Sequence, residues 1–498
     1  MALTIEEMAV FCKKKGFVFP NSEIYGGMAG FFDYGPLGVE LKNNLKQAWW
    51  NYHVKRRDDI VGIDGAIIAS PKVWVASGHV GGFSDILVEC KKCHARERAD
   101  VLIEDKLKIS ADGMKLDEIE SLIAKNKIVC PKCKGEFAEP SKFNLMFQTY
   151  VGPKQSEENI AYLRPETAQL IFTNFKNILD TSRVKLPFGI AQVGKAFRNE
   201  IAPRNFLFRC REFEQMEIEY FVHPDKLKEC SYVNEVMNCE LLTYSAEMQE
   251  KNLEPKKYKV KELLDKKIVK LSWHAYWLAT EYNFFINLGV NPEHIRIRQH
   301  KKSELAHYAS DCWDLEYKFP FGWKELQGIA DRSDFDLQQH IKHSGKDLSW
   351  FDEEGKKKVV PFVIAEPSLG VDRSFLLFMF ESYHDDKERG NIVLKLPNPL
   401  TPYYCAVFPL VKNKEEVAKL AEKVYKELKG CYTCMYDESG SVGRRYARAD
   451  EIGVKYCVTI DFDSLDDKAV TIRDRDTTKQ IRVPITELKS KLYELFLK

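Results

Sequence analysis

The sequence predicts an α+β chain, an antiparallel sheet flanked by helices, followed by a separate α/β domain at the carboxyl end. Three observations lead there. Two runs of alternating apolar and polar residues between positions 188 and 221 are separated by a short loop, the pattern of two antiparallel strands. The run 361–373 is an apolar strand leading into a helix, with Phe375, Leu376, Phe378 and Met379 on the inside. Beyond the segment 396–402, which carries Pro397, Pro399 and Pro402, strand, helix and strand patterns follow in the order of a βαβ unit.

From the amino end, Thr4 and Glu7 have the spacing of a capping box, and Ile5, Met8, Ala9 and Cys12 place an apolar stripe behind it. Glu6 and Glu7, with no long apolar run and no small-residue cleavage site, fit neither a signal peptide nor a transit peptide. No stretch has the length of a membrane span, so no membrane partner is expected. At 498 residues, 44% hydrophobic and 30% charged, the chain can fill more than one core. The formal charge of +1 gives no global pull on a polyanion, so any RNA surface must be a local one. Thirteen cysteines without an export signal point to a reducing compartment and a cytoplasmic location.

Gly35-Pro36-Leu37-Gly38 precedes an amphipathic helix over 39–50. Two charge-rich stretches, 104–127 and 226–270, read as solvated helical faces inside insertions, which we bound at about 88–142 and 224–300. The body then covers 1–400 and the second domain 401–498. Within the latter the pattern predicts strand 403–410, helix 415–428 stopped by Gly430, strands 431–436 and 456–460, a hairpin over 469–484 and a closing helix over 486–497.

Cys90 and Cys93, and Cys130 and Cys133, are two Cys-x-x-Cys pairs able to close a tetrahedral zinc shell; four free thiols in a surface arm is the alternative. Cys431 and Cys434 lack a second pair and read as coincidence on a strand. In the 188–221 hairpin, Arg198, Glu200, Arg209 and Arg211 would gather guanidiniums suited to phosphate oxygens, against the alternative of a surface Arg–Glu ladder. Gly370 at a strand-to-helix junction permits close ligand approach, with Arg373 in the first helical turn.

The hairpin, the 361–373 segment and the Gly35–Trp50 piece together resemble the three signature motifs of class II aminoacyl-tRNA synthetases. Arg164-Pro-Glu166-Thr-Ala-Gln169, Phe143-Asn-Leu-Met-Phe147, Arg98-Ala-Asp100, Phe197-Arg-Asn-Glu200, Glu212-Phe-Glu-Gln-Met-Glu217 and Glu366-Pro-Ser368 resemble the dimeric kind of glycyl-tRNA synthetase over nearly the whole chain. The resemblance implies a class II catalytic domain with inserted arms and a carboxyl-terminal anticodon-binding α/β domain. It implies that ATP, with Mg2+, meets Arg198, Asn199, Glu200, Phe208, Arg209, Arg211, Phe213, Glu325, Leu326, Gly370 and Arg373. Of these Arg198, Glu200, Arg209, Arg373 and Glu325 would be catalytic. Arg198 would hold the α-phosphate, Arg209 the γ-phosphate and Glu200 the adenine amino group. Phe213 and Arg373 would sandwich the base, and Glu325 would be a magnesium ligand. Glycine would meet Arg98, Glu166, Phe213, Gln215, Glu217, Glu366, Ser368 and Gly370, in a site too crowded for a β-carbon. The implied partners are glycine, ATP, tRNA(Gly) and a second copy of the chain, and the implied metals are Mg2+ and Zn2+. The segment 440–448, with Arg444, Arg445, Arg448 and Tyr446, is then expected to face RNA, and His274, His300 and His307 to be structural or tRNA-facing.

Overall fold

In the computed structural model, which describes residues 3–107, 109, 111, 114–306 and 308–496, a nine-stranded sheet organises the larger part of the chain. Its order is Lys256–Lys259, Glu240–Tyr244, Ile295–Gln299, Asp311–Phe319, Gly322–Asp331, Phe362–Gly370, Glu212–Val222, Phe188–Phe197, Ile60–Ile63. Pairing is antiparallel except where Ile60–Ile63 joins Phe188–Phe197 and where Glu240–Tyr244 joins Ile295–Gln299. The two long alternating runs of the sequence are the central hairpin, in register from Phe188 opposite Phe221 to Phe197 opposite Glu212.

The strand Glu212–Val222 shows how the sheet separates two cores. Met216, Ile218, Tyr220 and Val222 enter one with the helices Ile5–Lys15, Pro36–Trp50, Ser272–Asn287 and Val371–Ser382. Phe221 enters the other, with Ala168–Ser182 and Phe335–Ser344. Trp273 and Trp277 anchor the first, their rings 5.2 and 5.1 Å from that of Tyr220, each large buried side chain contributing about 1.5–3 kcal/mol. The amino-terminal helix carries the expected box, Thr4 and Glu7 capping each other's backbone amides. Gly38, in the first turn of Pro36–Trp50, lies where a Cβ would stand 1.8 Å from the carbonyl oxygen of Phe17, so only glycine lets that helix seat.

The two charge-rich stretches fold differently from each other. Residues 240–299 do not project: three short strands extend the edge of the main sheet, and the helix Ser272–Asn287 is buried almost all round because Trp273, Tyr276, Trp277, Phe284 and Phe285 outweigh the charges that precede it. The earlier stretch is an arm with its own core. Ser84–Glu89 pairs with Arg96–Arg98 and Ser141–Asn144, and Val88, Ile103, Ile119, Ile128 and Phe137 pack beneath the helices Ala99–Leu107 and Leu116–Lys125.

The carboxyl-terminal unit is a five-stranded sheet in the order Cys434–Tyr436, Cys405–Pro409, Tyr456–Ile460, Ala469–Asp474, Gln480–Pro484, its first three strands parallel. The predicted strand 431–436 begins only at Cys434, and the last helix is Leu488–Phe496, with Leu497 outside the described residues. Cys434 is buried with its Sγ 2.9 Å from that of Cys405 on the neighbouring strand, while Cys431 is exposed. Arg389 and Arg475 fasten this unit to the body: Arg475 Nη2 donates to the carbonyl of Leu396, and Arg389 pairs with Asp450 at 3.3 Å. No helix of the described residues is long and apolar enough to cross a membrane.

Candidate active site

The face of the sheet that carries Phe213, Gln215 and Glu217 opens into a cavity of about 350 Å³. The alternation of the strand Glu212–Val222 puts these three in one row, and Ser368 lies opposite Glu217 on the adjacent strand. Gly194, in the hairpin's other strand, makes room for the Arg164 guanidinium, whose Nη2 is 2.0 Å from where a Cβ would be. Arg164 in turn ties the loop before Glu166 to the sheet through the carbonyls of Lys195 and Gly65.

One end of the cavity is cationic. Arg198 lies 5.3 Å from the Phe213 ring centre and donates from Nε to the carbonyl of Pro165. Arg209 stands 3.7 Å from Glu200, and Arg373 bonds the Glu325 carboxylate at 3.1 Å. Arg373 rests on the ring of Phe208 at 4.6 Å, and both it and Phe213 line the cavity. Glu200 is buried, and its Oε2 has no hydrogen-bond donor, the condition an incoming amino group would relieve. Leu326 and Gly370 line the same space.

The other end is acidic and buried. Glu166, Glu217 and Glu366 are buried, and the fully buried Arg332 ties two of them together: its Nη1 donates to Glu366 at 2.7 Å, its Nε and Nη2 to Asp336 at 2.7 and 2.8 Å, and Glu166 lies 4.0 Å away. Burial works against ionised Glu166, but His79 at 3.4 Å and Arg332 outweigh it and hold that carboxyl well below the ordinary range. Burial pushes Glu217 up, with the charge of Glu166 adding to it, although Thr167 donates its hydroxyl hydrogen to the carboxylate. Gln215, which lines the cavity, donates to Ser368 Oγ at 3.0 Å and leaves its own buried Oε1 without a donor.

Several expected residues stand elsewhere. Arg98 does not line the cavity; its guanidinium is taken by Asp85 at 2.8 Å and by Asp100. Asn199 is held through its backbone amide by the carbonyl of Leu145, outside the lining. Arg211 braces a loop, donating to the carbonyls of Glu200 and Ala29. Of the histidines, His274 is structural, bonded to the carbonyl of Ile329, and His307 lies outside the described residues. His300 is not a bystander: it lines the cavity and bonds Asp314 at 2.8 Å. Burial disfavours its cation, but the Asp314 hydrogen bond outweighs that and pushes His300 up to about 11. Arg332 and Asp336 escaped the sequence reading, although Asp331-Arg332-Ser333 closing an apolar strand is the kind of charged strand end that marks a site.

Two further regions were singled out in the sequence. The four thiols of Cys90, Cys93, Cys130 and Cys133 converge, with Sγ atoms 3.4 Å apart for Cys90 and Cys133 and 3.7 Å for Cys93 and Cys130. A tetrahedral ion with metal–sulfur bonds of about 2.3 Å has S···S edges of about 3.8 Å, so the donor set fits one. Each pair forms the same turn: His94 and Lys134 adopt positive φ and donate their amides to the carbonyls of Cys90 and Cys130, both at 2.9 Å. In the segment 440–448, Arg445 is removed from any RNA surface. It is 2% exposed, and its guanidinium donates to the carbonyls of Pro409, Leu410 and Gly440. Arg444 and Arg448 remain at the surface, Arg448 paired with Asp437.

Comparison with known proteins bears on the whole chain. The family model "tRNA synthetase class II core domain (G, H, P, S and T)" matches residues 150–383, and "Anticodon binding domain" matches 404–495. The glycine–tRNA ligase of Geobacillus thermodenitrificans is 47% identical over 98% of this chain and 97% of its own. That of Ruminiclostridium cellulolyticum is 47% identical over 97% of each. The crystal structure of prolyl-tRNA synthetase from Cryptosporidium parvum superposes with a TM-score of 0.57 at 14% identity, covering 99% of this chain and 75% of that one, a likeness of fold. With a class II core, an anticodon-binding domain and full-length identity of this order, the chain belongs to the glycine–tRNA ligase family of class II aminoacyl-tRNA synthetases.

Proposed function

We propose that in this enzyme the glycine carboxylate attacks the α-phosphate of ATP to give glycyl-adenylate and pyrophosphate, and that the glycyl group then passes to the terminal ribose of tRNA(Gly), releasing AMP. One observation carries the reading: a single small cavity holds three buried carboxylates at one end and three arginines at the other. The acids attract an ammonium group, and their crowding leaves no room for a side chain on the α-carbon. Glu166, Glu217, Glu366 and Ser368 are the proposed glycine contacts, with the free Oε1 of Gln215 as a further acceptor. Arg98 acts there only from outside the lining, through its grip on Asp85 and Asp100.

At the other end Arg198 is proposed to span the reacting carboxylate and the α-phosphate, and Arg209 to receive the terminal phosphate. Glu200 would accept from the adenine amino group, and Phe213 and Arg373 would offer their faces to the base. Charge growing on the phosphoryl oxygens is thereby met by fixed guanidiniums, without a side-chain nucleophile. Glu325 is the proposed magnesium ligand, the ion supplying further neutralisation of phosphate charge when bound. The reaction is tested by pyrophosphate exchange across amino acids: exchange with glycine and at most about 1% of it with alanine or serine is expected. Exchange of similar size with alanine would refute the steric argument.

Zinc is proposed at Cys90, Cys93, Cys130 and Cys133, as a crosslink that closes the arm. Cys130→Ser should remove bound zinc measured by atomic emission while leaving pyrophosphate exchange within about twofold; equal zinc in both proteins would refute the assignment. A homodimer is proposed on the exposed apolar side chains of Ile24, Tyr25 and Met28, read out by sedimentation, and a cytoplasmic location on the family and the free thiols.

A further inference from the structure

Behind the acidic end lies a side chain the proposed chemistry does not use. The row Phe213, Gln215, Glu217, Glu219, Phe221 runs along one face of its strand, from cavity to core. Its first three members line the cavity, and Phe221 packs against Phe172 and Phe175. Glu219 falls between, is not in the cavity's lining, is fully buried, and has no hydrogen-bond donor to either carboxylate oxygen. One oxygen from each of Glu217, Glu219 and Glu366 lies within 4.8 Å of the others.

An ionised carboxylate in such a place costs several kcal/mol, whereas a protonated one brings its own donor for a neighbouring acid. The groups around Glu219 leave it little help. Glu217 faces it from its own strand, Glu366 from Phe362–Gly370, Asp336 from the helix Phe335–Ser344, and Ile190 is its register partner in the hairpin. The helix Ala168–Ser182 offers Gln169, whose amide is spent on Glu166 and Asp336. Arg332 is the cation among them, and its recorded hydrogen bonds go to Asp336 and Glu366, none to Glu219. Further out, His79 answers Glu166.

We propose that Glu219 and Glu366 share one proton while the cavity is empty, and that this proton leaves for solvent as an ammonium group enters the acidic end. One positive charge departs as another arrives, and no bond to the substrate is made. Glu219 is thus a positioning residue that sets how amine capture depends on pH. Burial drives both carboxyls well above their ordinary range, in keeping with a retained proton. Because the empty state holds the proton more tightly than the loaded one, affinity rises with pH, by at most about tenfold per unit.

The inference rests on the glycine reading above, and calorimetry on the intact protein separates the two. The probes are a sulfamoyl-linked glycyl-adenylate analogue and its hydroxyacetyl counterpart, which lacks the amine. Titrations at neutral pH in phosphate and in Tris, which differ in ionisation heat, count protons. Release of up to about one proton is expected per glycyl analogue, with close to none for the hydroxyacetyl compound. Glu219→Gln, which supplies a neutral donor in the same space, should cut the release by at least about half and flatten the pH dependence of binding. Binding of the glycyl analogue with buffer-independent heat overturns the inference while leaving the glycine site intact; no binding at all overturns the site. Unchanged release in Glu219→Gln removes Glu219 from the exchange, and should that variant not fold, the wild-type proton count still decides.

Discussion

The acidic and cationic ends of the cavity are built on opposite plans. Glu166, Glu217 and Glu366 are buried and engaged with His79, Thr167 and Arg332, whereas Arg209 and Arg373 are each 24% exposed and paired at 3.7 and 3.1 Å. The first arrangement is assembled before anything binds and cannot adjust without breaking buried ion pairs. The second has slack, as a site must if it is to admit a large, flexible triphosphate and later release pyrophosphate. On the proposed reading of the site, discrimination belongs to the rigid end and turnover to the yielding one.

The sharpest way to break this contrast is Arg332→Met. Stranding Glu366 and Asp336 should cost about 3–5 kcal/mol of stability and bring glycine-dependent exchange below detection, followed by thermal unfolding and exchange assays. A stable, active Arg332→Met protein would mean that the acidic end is not preassembled. Arg198→Ala should lower exchange by about 10²–10³-fold while leaving the unfolding temperature within about 2 °C, because its charge supports the reaction and not the fold. A large fall in that temperature would erase the distinction between the ends.

A smaller effect concerns His300, between the two. Its protonated form is favoured by Asp314 in the folded state, so the stability it contributes is complete below the unfolded pKa of about 6.5 and fades as pH rises towards 11. The stability difference between the wild type and His300→Asn should therefore shrink as pH is raised through that interval. A difference that is constant or grows would show that the imidazolium is not what Asp314 holds.

Strands were legible where residues alternate, as in the central hairpin, because one face must meet a core and the other a cavity. The row from Phe213 to Glu217 could be placed on one face from spacing alone. Partnership was not legible. Arg445 and Arg448 stand three apart on one helix, yet one is consumed by three backbone carbonyls and the other is at the surface, a difference decided by Pro409 and Leu410 from a distant strand. Arg332 and Asp336 carry a local signal at a strand end, but their partnership with Glu366 was not legible, since only the sheet brings it beside them. The charged stretch before Ser272–Asn287 was legible as solvated, since its lysines from Lys256 to Lys270 are exposed, but the edge it adds to the main sheet was not, because long-range pairing completes it.

The separate core of the arm has a consequence for how the protein comes into being. The strand Ile60–Ile63 leaves the ribosome early but finds its sheet neighbour only when Phe188–Phe197 has been made. Between them lies the arm, whose apolar cluster and four thiols need nothing that is synthesised later. If the arm condenses first, the intervening tether is shortened to the distance between its two ends, and the waiting strand is kept near the place where its partner will appear.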